Sequence, residues 1–145
     1  MFSHIMLGAN DLEASRAFYD AILGALGHGP GVTDDKGRVF YMTETGILAL
    51  TAPIDGQPAS CGNGSTIGFA AASPEAADAW HAAGIANGGT TCEDPPGVRA
   101  RSKGLFVGPG CDPPSSAVAV LHRIPAPACR SAETAALSRF GKLPS

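Results

Sequence analysis

The chain has 145 residues, a net charge of −3, 44% hydrophobic residues and 16% charged residues. That length fits one domain or two small modules sharing a core, and no apolar run reaches the roughly 18 residues of a membrane helix. Lys and Arg are scattered apart from Arg99, Arg101 and Lys103, which argues against a broad nucleic-acid surface, and Cys61, Cys92, Cys111 and Cys129 show no CxxC spacing of a metal knuckle or disulfide scaffold.

Ser3 to Ala9 is a short apolar run and predicts a strand. Asn10 or Asp11 can cap the helix that follows, and Asn10 with Glu13 has capping-box spacing. Leu12, Phe18, Tyr19, Ile22, Leu23 and Leu26 then recur at helical spacing, and Gly27 stops the helix. A short strand is expected near Val32. Arg38 to Thr43 and Ile47 to Ala52 read as a hairpin about Glu44-Thr45-Gly46. Pro53 to Gly64, rich in proline and glycine, reads as a crossing loop.

The second half repeats this order. Thr66 to Ala71 predicts a strand, and Ser73 followed by Pro74 is a strong helix start. That helix should run to about Asn87, ended by Gly88-Gly89. A short strand is predicted over Thr90 to Glu93. Leu105 to Gly108 and Ala117 to Arg123 read as a last strand pair. Pro109 should end its strand early or lie at an edge, because it has no N–H to give a ladder. A short amphipathic helix is predicted over Cys129 to Phe140. A shift of 62 residues without a gap lays Ile5 on Ile67, Ala9 on Ala71, Glu13 on Glu75, Phe18 on Trp80 and Gly27 on Gly89. Such a self-match predicts two similar modules. The boundaries expected are residues 1–53 and 65–125, with a tail over 126–145.

Two βαβββ modules in this order resemble the vicinal oxygen chelate superfamily of glyoxalase I, extradiol dioxygenases and bleomycin-resistance proteins. The residues that carry the likeness are Phe2-Ser3-His4-Ile5, Asn10-Asp11-Leu12, Ala17-Phe18-Tyr19-Asp20, the loop around Pro53 to Gly64, Asn87-Gly88-Gly89-Thr90 and Pro95-Pro96-Gly97-Val98-Arg99. The resemblance covers residues 2–124 and is similar in detail to a bacterial glyoxalase-like subgroup. It implies an α+β fold with curved mixed sheets around a trough. It also implies metal ligands on the first and last strands of each module. His4 meets the first of these. Thr66 stands at the matching position of the second module, Val118 where a Glu is usual, and Ile47 to Ala52 offers neither acid nor histidine. No metal and no cofactor are therefore expected. A rearranged metal site would use His122, His28 or Glu44.

The candidate pocket residues are His4, Tyr41, Thr66, Phe106 and Val118, none assigned a catalytic role. His4 is either a strand histidine bonded to a neighbour or a pocket base and donor. Tyr41 and Phe106 are either core or ligand wall. The expected function is binding, with or without conversion, of a small organic molecule. A metal-dependent lyase or dioxygenase and a drug- or metabolite-sequestering protein are the alternatives. The N-terminus lacks a basic stretch leading into an apolar core, so a cytoplasmic protein is expected. Nucleic acid and membrane are not expected as partners, and family habit implies a homodimer.

Overall fold

The structure is a computed structural model. It describes residues 1–60, 64–91 and 96–98 in full and the backbone of residues 105–111 and 117–123, with side chains there only over 119–121. The predicted helix over Cys129 to Phe140 lies outside the described residues, as do Arg99 and Arg101.

The first module runs β1 (His4–Gly8), α1 (Leu12–Ala25), β2 (Val32–Thr33), β3 (Val39–Thr43) and β4 (Gly46–Thr51). The second runs β5 (Thr66–Ala70), α2 (Pro74–Ala86), β6 (Gly97–Val98), β7 (Leu105–Cys111) and β8 (Ala117–Arg123). Each forms a four-stranded mixed sheet, ordered β1-β4-β3-β2 and β5-β8-β7-β6. In each, the first strand runs parallel to the last, and the remaining neighbours are antiparallel.

The 62-residue shift is visible in three dimensions. β1 and β5 each have five residues and begin at His4 and Thr66. The helix N-caps are Asp11 and Ser73, whose side chains accept from the backbone N–H of Ala14 and Ala76. Asp11 rather than Asn10 is therefore the first cap. Asn10 instead clamps the crossing loop, donating to the Ala59 carbonyl at 3.0 Å and accepting from the Ala59 N–H at 2.6 Å. The repeat slips by one at the helix ends. Gly27 turns α1 off at φ +88° with His28 N–H on the Leu23 carbonyl, whereas Gly88, not Gly89, takes the left-handed turn after α2 at φ +90°.

The hairpins diverge further. His4 pairs with Ile47 but Thr66 with Ala117, so the ladder offset has grown from 62 to 70 residues. The second strand of the second module forms at Gly97–Val98; of the strand predicted over Thr90 to Glu93, Thr90 makes an isolated bridge, and Cys92 and Glu93 lie outside the described residues. β7 does not end at Gly108: it continues to Cys111, with Pro109 opposite Ala119. Among the described residues β6 pairs only with Phe106 and Val107, so none of them pairs with Pro109 on that side.

The two modules join through their helices. α1 packs on α2, α2 covers β7 and β8, and α1 rests on β4. Phe18 and Ile22 of α1 meet Trp80 and Gly84 of α2, each pair related by the repeat. A methyl group at Gly84 would stand 3.4 Å from Ile22 and 3.5 Å from Phe18, so the small residue lets the helices approach closely. Leu48, Leu50, Tyr41 and Val120 complete one core shared by both sheets.

Candidate functional site

Strand alternation sorts each sheet into two faces. In β1, Ile5 and Leu7 are half-buried toward the helices, while His4, Met6 and Gly8 are exposed. β5 repeats the pattern: Ile67 and Phe69 point in, and Thr66, Gly68 and Ala70 are exposed. The helix-averted face of the first sheet can be read from its register. One cross-strand row is His4–Ile47–Met42, and the next is Met6–Ala49–Phe40–Val32. Ala49 is short and lies between Met6 and Phe40. In the second sheet Leu121 lies over Gly68, where an added methyl would stand 3.1 Å from it.

One end of the first face carries polar groups. Ser3 Oγ lies 2.9 Å from His4 Nδ1. When the hydroxyl donates, Nε2 holds the ring proton and is a donor; when it accepts, Nε2 is an acceptor. Nε2 has no hydrogen-bond partner among the described residues. The other end is covered by the crossing loop. A methyl at Gly8 would meet Pro53 and Ala59 at 3.3 Å, and the Asn10–Ala59 clamp holds that loop in place.

His4 and Thr66 thus occupy equivalent exposed positions at the start of β1 and β5. Tyr41 does not join them. Its ring is only 3% exposed and packs on the helix side near Tyr19, with its hydroxyl donating to Asp20 at 2.9 Å. The reason is register. Only Glu44 and Thr45 separate Thr43 from Gly46, so Val39 and Tyr41 turn to the core and Phe40 and Met42 away from it. Phe106 pairs with His122 and Val118 with Ile67, both register positions of the same parity as the fully buried Val120; their side chains lie outside the described residues. Met6, Phe40 and Met42, absent from the sequence reading, belong to the averted face instead.

Asp20 also accepts from the Gly31 N–H at 2.8 Å, and Arg16 donates to the Gly31 carbonyl at 3.1 Å, so this network ties β2 to α1. Burial, with the Asp20 carboxylate adding to it, pushes the Tyr41 phenol well above its usual value. Above about pH 10 the unfolded chain gives up this proton while the folded chain keeps it, so stability should fall as pH rises there. Urea unfolding at increasing alkaline pH should show that fall, and Tyr41→Phe should make it shallower. An equal slope in the variant would show that Tyr41 contributes nothing to it.

Two βαβββ modules joined helix to helix, with their first strands presenting one open face each, are the architecture of the vicinal oxygen chelate superfamily. No family model and no curated protein matches the chain. Solved structures do. A glyoxalase/bleomycin resistance protein from Albidiferax ferrireducens T118 is 57% identical, with a TM-score of 0.80 over 86% of this chain and 99% of that one. A glyoxalase-related enzyme from Fulvimarina pelagi (21% identity, TM-score 0.66, 85% of this chain and 88% of that one) shares the fold. So does a lactoylglutathione lyase from Agrobacterium tumefaciens (21% identity, TM-score 0.59, 84% and 92%). The chain belongs to the glyoxalase/bleomycin resistance protein family.

The family's metal positions can be tested on this donor set. They hold the His4 imidazole, the Thr66 hydroxyl, the hydrocarbon and threonine side chains of β4, and Val118. A divalent ion is held by three or four nitrogen, oxygen or sulfur donors, usually His, Cys, Asp or Glu. Among the described residues no three such side chains converge. His28 and Glu44 do line one groove at the β3 edge, with Met42 and Thr43, but no third donor of that kind joins them there. The residues present at these positions do not fit the ion.

Proposed function

We propose that this protein binds a small organic molecule on the helix-averted faces of its two sheets, with His4 Nε2 as a hydrogen-bonding contact. The observation that carries the reading is the matched exposure of β1 and β5. Both modules keep the same alternate residues open while their opposite faces are sealed by helices. A sheet face left open and apolar, with a polar pair at one end, is the chemistry of a ligand floor. The setting we propose is a cytoplasmic homodimer that engages neither nucleic acid nor membrane; no helix among the described residues is long and apolar enough to cross a membrane.

A thermal-shift screen of small organic compounds tests this. A ligand at 100 times its Kd stabilises the native state by about 2.7 kcal/mol. His4→Ala should leave the unliganded melting temperature within the small range of surface substitutions and abolish most of the ligand-induced rise. A rise that His4→Ala leaves intact, or a screen in which no compound raises the melting temperature, would defeat the proposal.

A further inference from the structure

The chemistry of the averted face narrows the ligand class, an inference that rests on the binding reading above. Its described side chains in the first sheet are His4, Met6, Phe40, Met42, Ile47 and Ala49, with Val32 and Thr51 at the margins. In the second they are Thr66, Gly68, Ala70, Ala119 and Leu121. None is an acid, a lysine or an arginine. One cation reaches the first face: the Arg38 guanidinium stands 5.2 Å from the Phe40 ring centroid. It is already committed. Its Nε donates to Asp34 at 2.8 Å and its Nη2 at 2.6 Å, and this pairing holds the Asp34 carboxyl below the usual carboxylate range. That ion pair presents no unmatched charge to a ligand.

The large residues on this face are soft. Met6 is 43% exposed and Met42 69% exposed, and they flank the rows that contain Ile47, Ala49 and Phe40. Thioethers adapt to irregular shapes and favour contact with aromatic rings. An ionised head laid at His4 would lose water and gain no counter-charge there, since the one carboxylate near this face, Glu44, lies in the groove beyond Met42. A neutral body loses far less and gains contact with the methionines.

We infer that the ligand is an uncharged, largely apolar molecule with one hydrogen-bonding head, its body on Met6, Phe40 and Met42 and its head at His4. The chain contains only three methionines, Met1, Met6 and Met42, so methyl labelling reads the face directly. Protein carrying ¹³C-methyl methionine is titrated with three probes of one skeleton: 3-phenylpropan-1-ol, 3-phenylpropanoate and 3-phenylpropylammonium. Met6→Leu and Met42→Leu variants assign the signals.

The alcohol should shift the Met6 and Met42 methyl resonances saturably and leave Met1 in place. Both ions should bind at least tenfold more weakly. If either ion binds as tightly as the alcohol at those two methyls, the inference about charge is wrong while the binding face stands. If none of the three moves either resonance, the binding face and the inference both fall.

Discussion

Trp80→Ala is expected to cost about 4 kcal/mol of folding free energy, the order seen when a large aromatic is removed from a sealed core. Trp80 is 1% exposed, and its ring meets Phe69 at a centroid distance of 6.4 Å. It lies where the repeat places Phe18, so the two aromatics fill the same space from opposite modules. Removing either should therefore loosen the joint between modules rather than one module alone. Circular dichroism in urea measures the loss, since the chain has a single tryptophan and its fluorescence disappears with the substitution. Trp80→Phe makes the test sharper. The indole Nε1 is buried without a hydrogen-bond partner among the described residues. A buried donor in that state costs about 1–3 kcal/mol, so the phenylalanine variant recovers part of what its smaller ring loses. It should cost less than half as much as alanine. Equal losses would mean that the indole N–H is satisfied in solution.

The same joint explains which parts of the fold could be read from the sequence. Strand, cap and helix start recur at one fixed offset, so β1, α1, β5 and α2 were legible within a residue or two. The two helices contact each other across the pseudo-repeat, so each half constrains the other there. The hairpins have no such restraint. Their offset drifted to 70 residues, and β7 runs on through Pro109, opposite Ala119.

The candidate site divides along the same line. His4 and Thr66 head the repeated strands, and their exposure follows from position alone. Tyr41 lies in Arg38 to Thr43, where nearly every residue suits a strand on either face and no alternation marks the inside. A two-residue turn at Glu44-Thr45 decided its direction, and a partner 21 residues away, Asp20, accepts its hydroxyl. Neither is visible as a local pattern. Met6 was legible in principle, because it follows His4 at the strand period; Met42 and Phe40 needed the turn length first.

Gly31→Ala should be the most damaging small substitution in the first module, at about 3 kcal/mol. Gly31 is buried, and a methyl there would stand 2.8 Å from Tyr41 Cζ and in hard overlap with Val39 Cγ1. Neither neighbour yields easily. Val39 is β-branched and 3% exposed, and Tyr41 is fastened by its hydroxyl to Asp20. The Gly31 backbone is fixed from the other side as well, since its N–H and carbonyl are both engaged by α1 side chains. Relief of the clash must therefore push β2 away from β3, which moves Val32 off Phe40 at the margin of the binding face. Urea unfolding of Gly31→Ala, Val39→Ala and the double variant separates these effects. Because the two substituted atoms collide, the double variant should be more stable than the sum of the single losses predicts, by about 1 kcal/mol. Strict additivity would show that the segment shifts as a body and that the overlap with Val39 is not what opposes the methyl group.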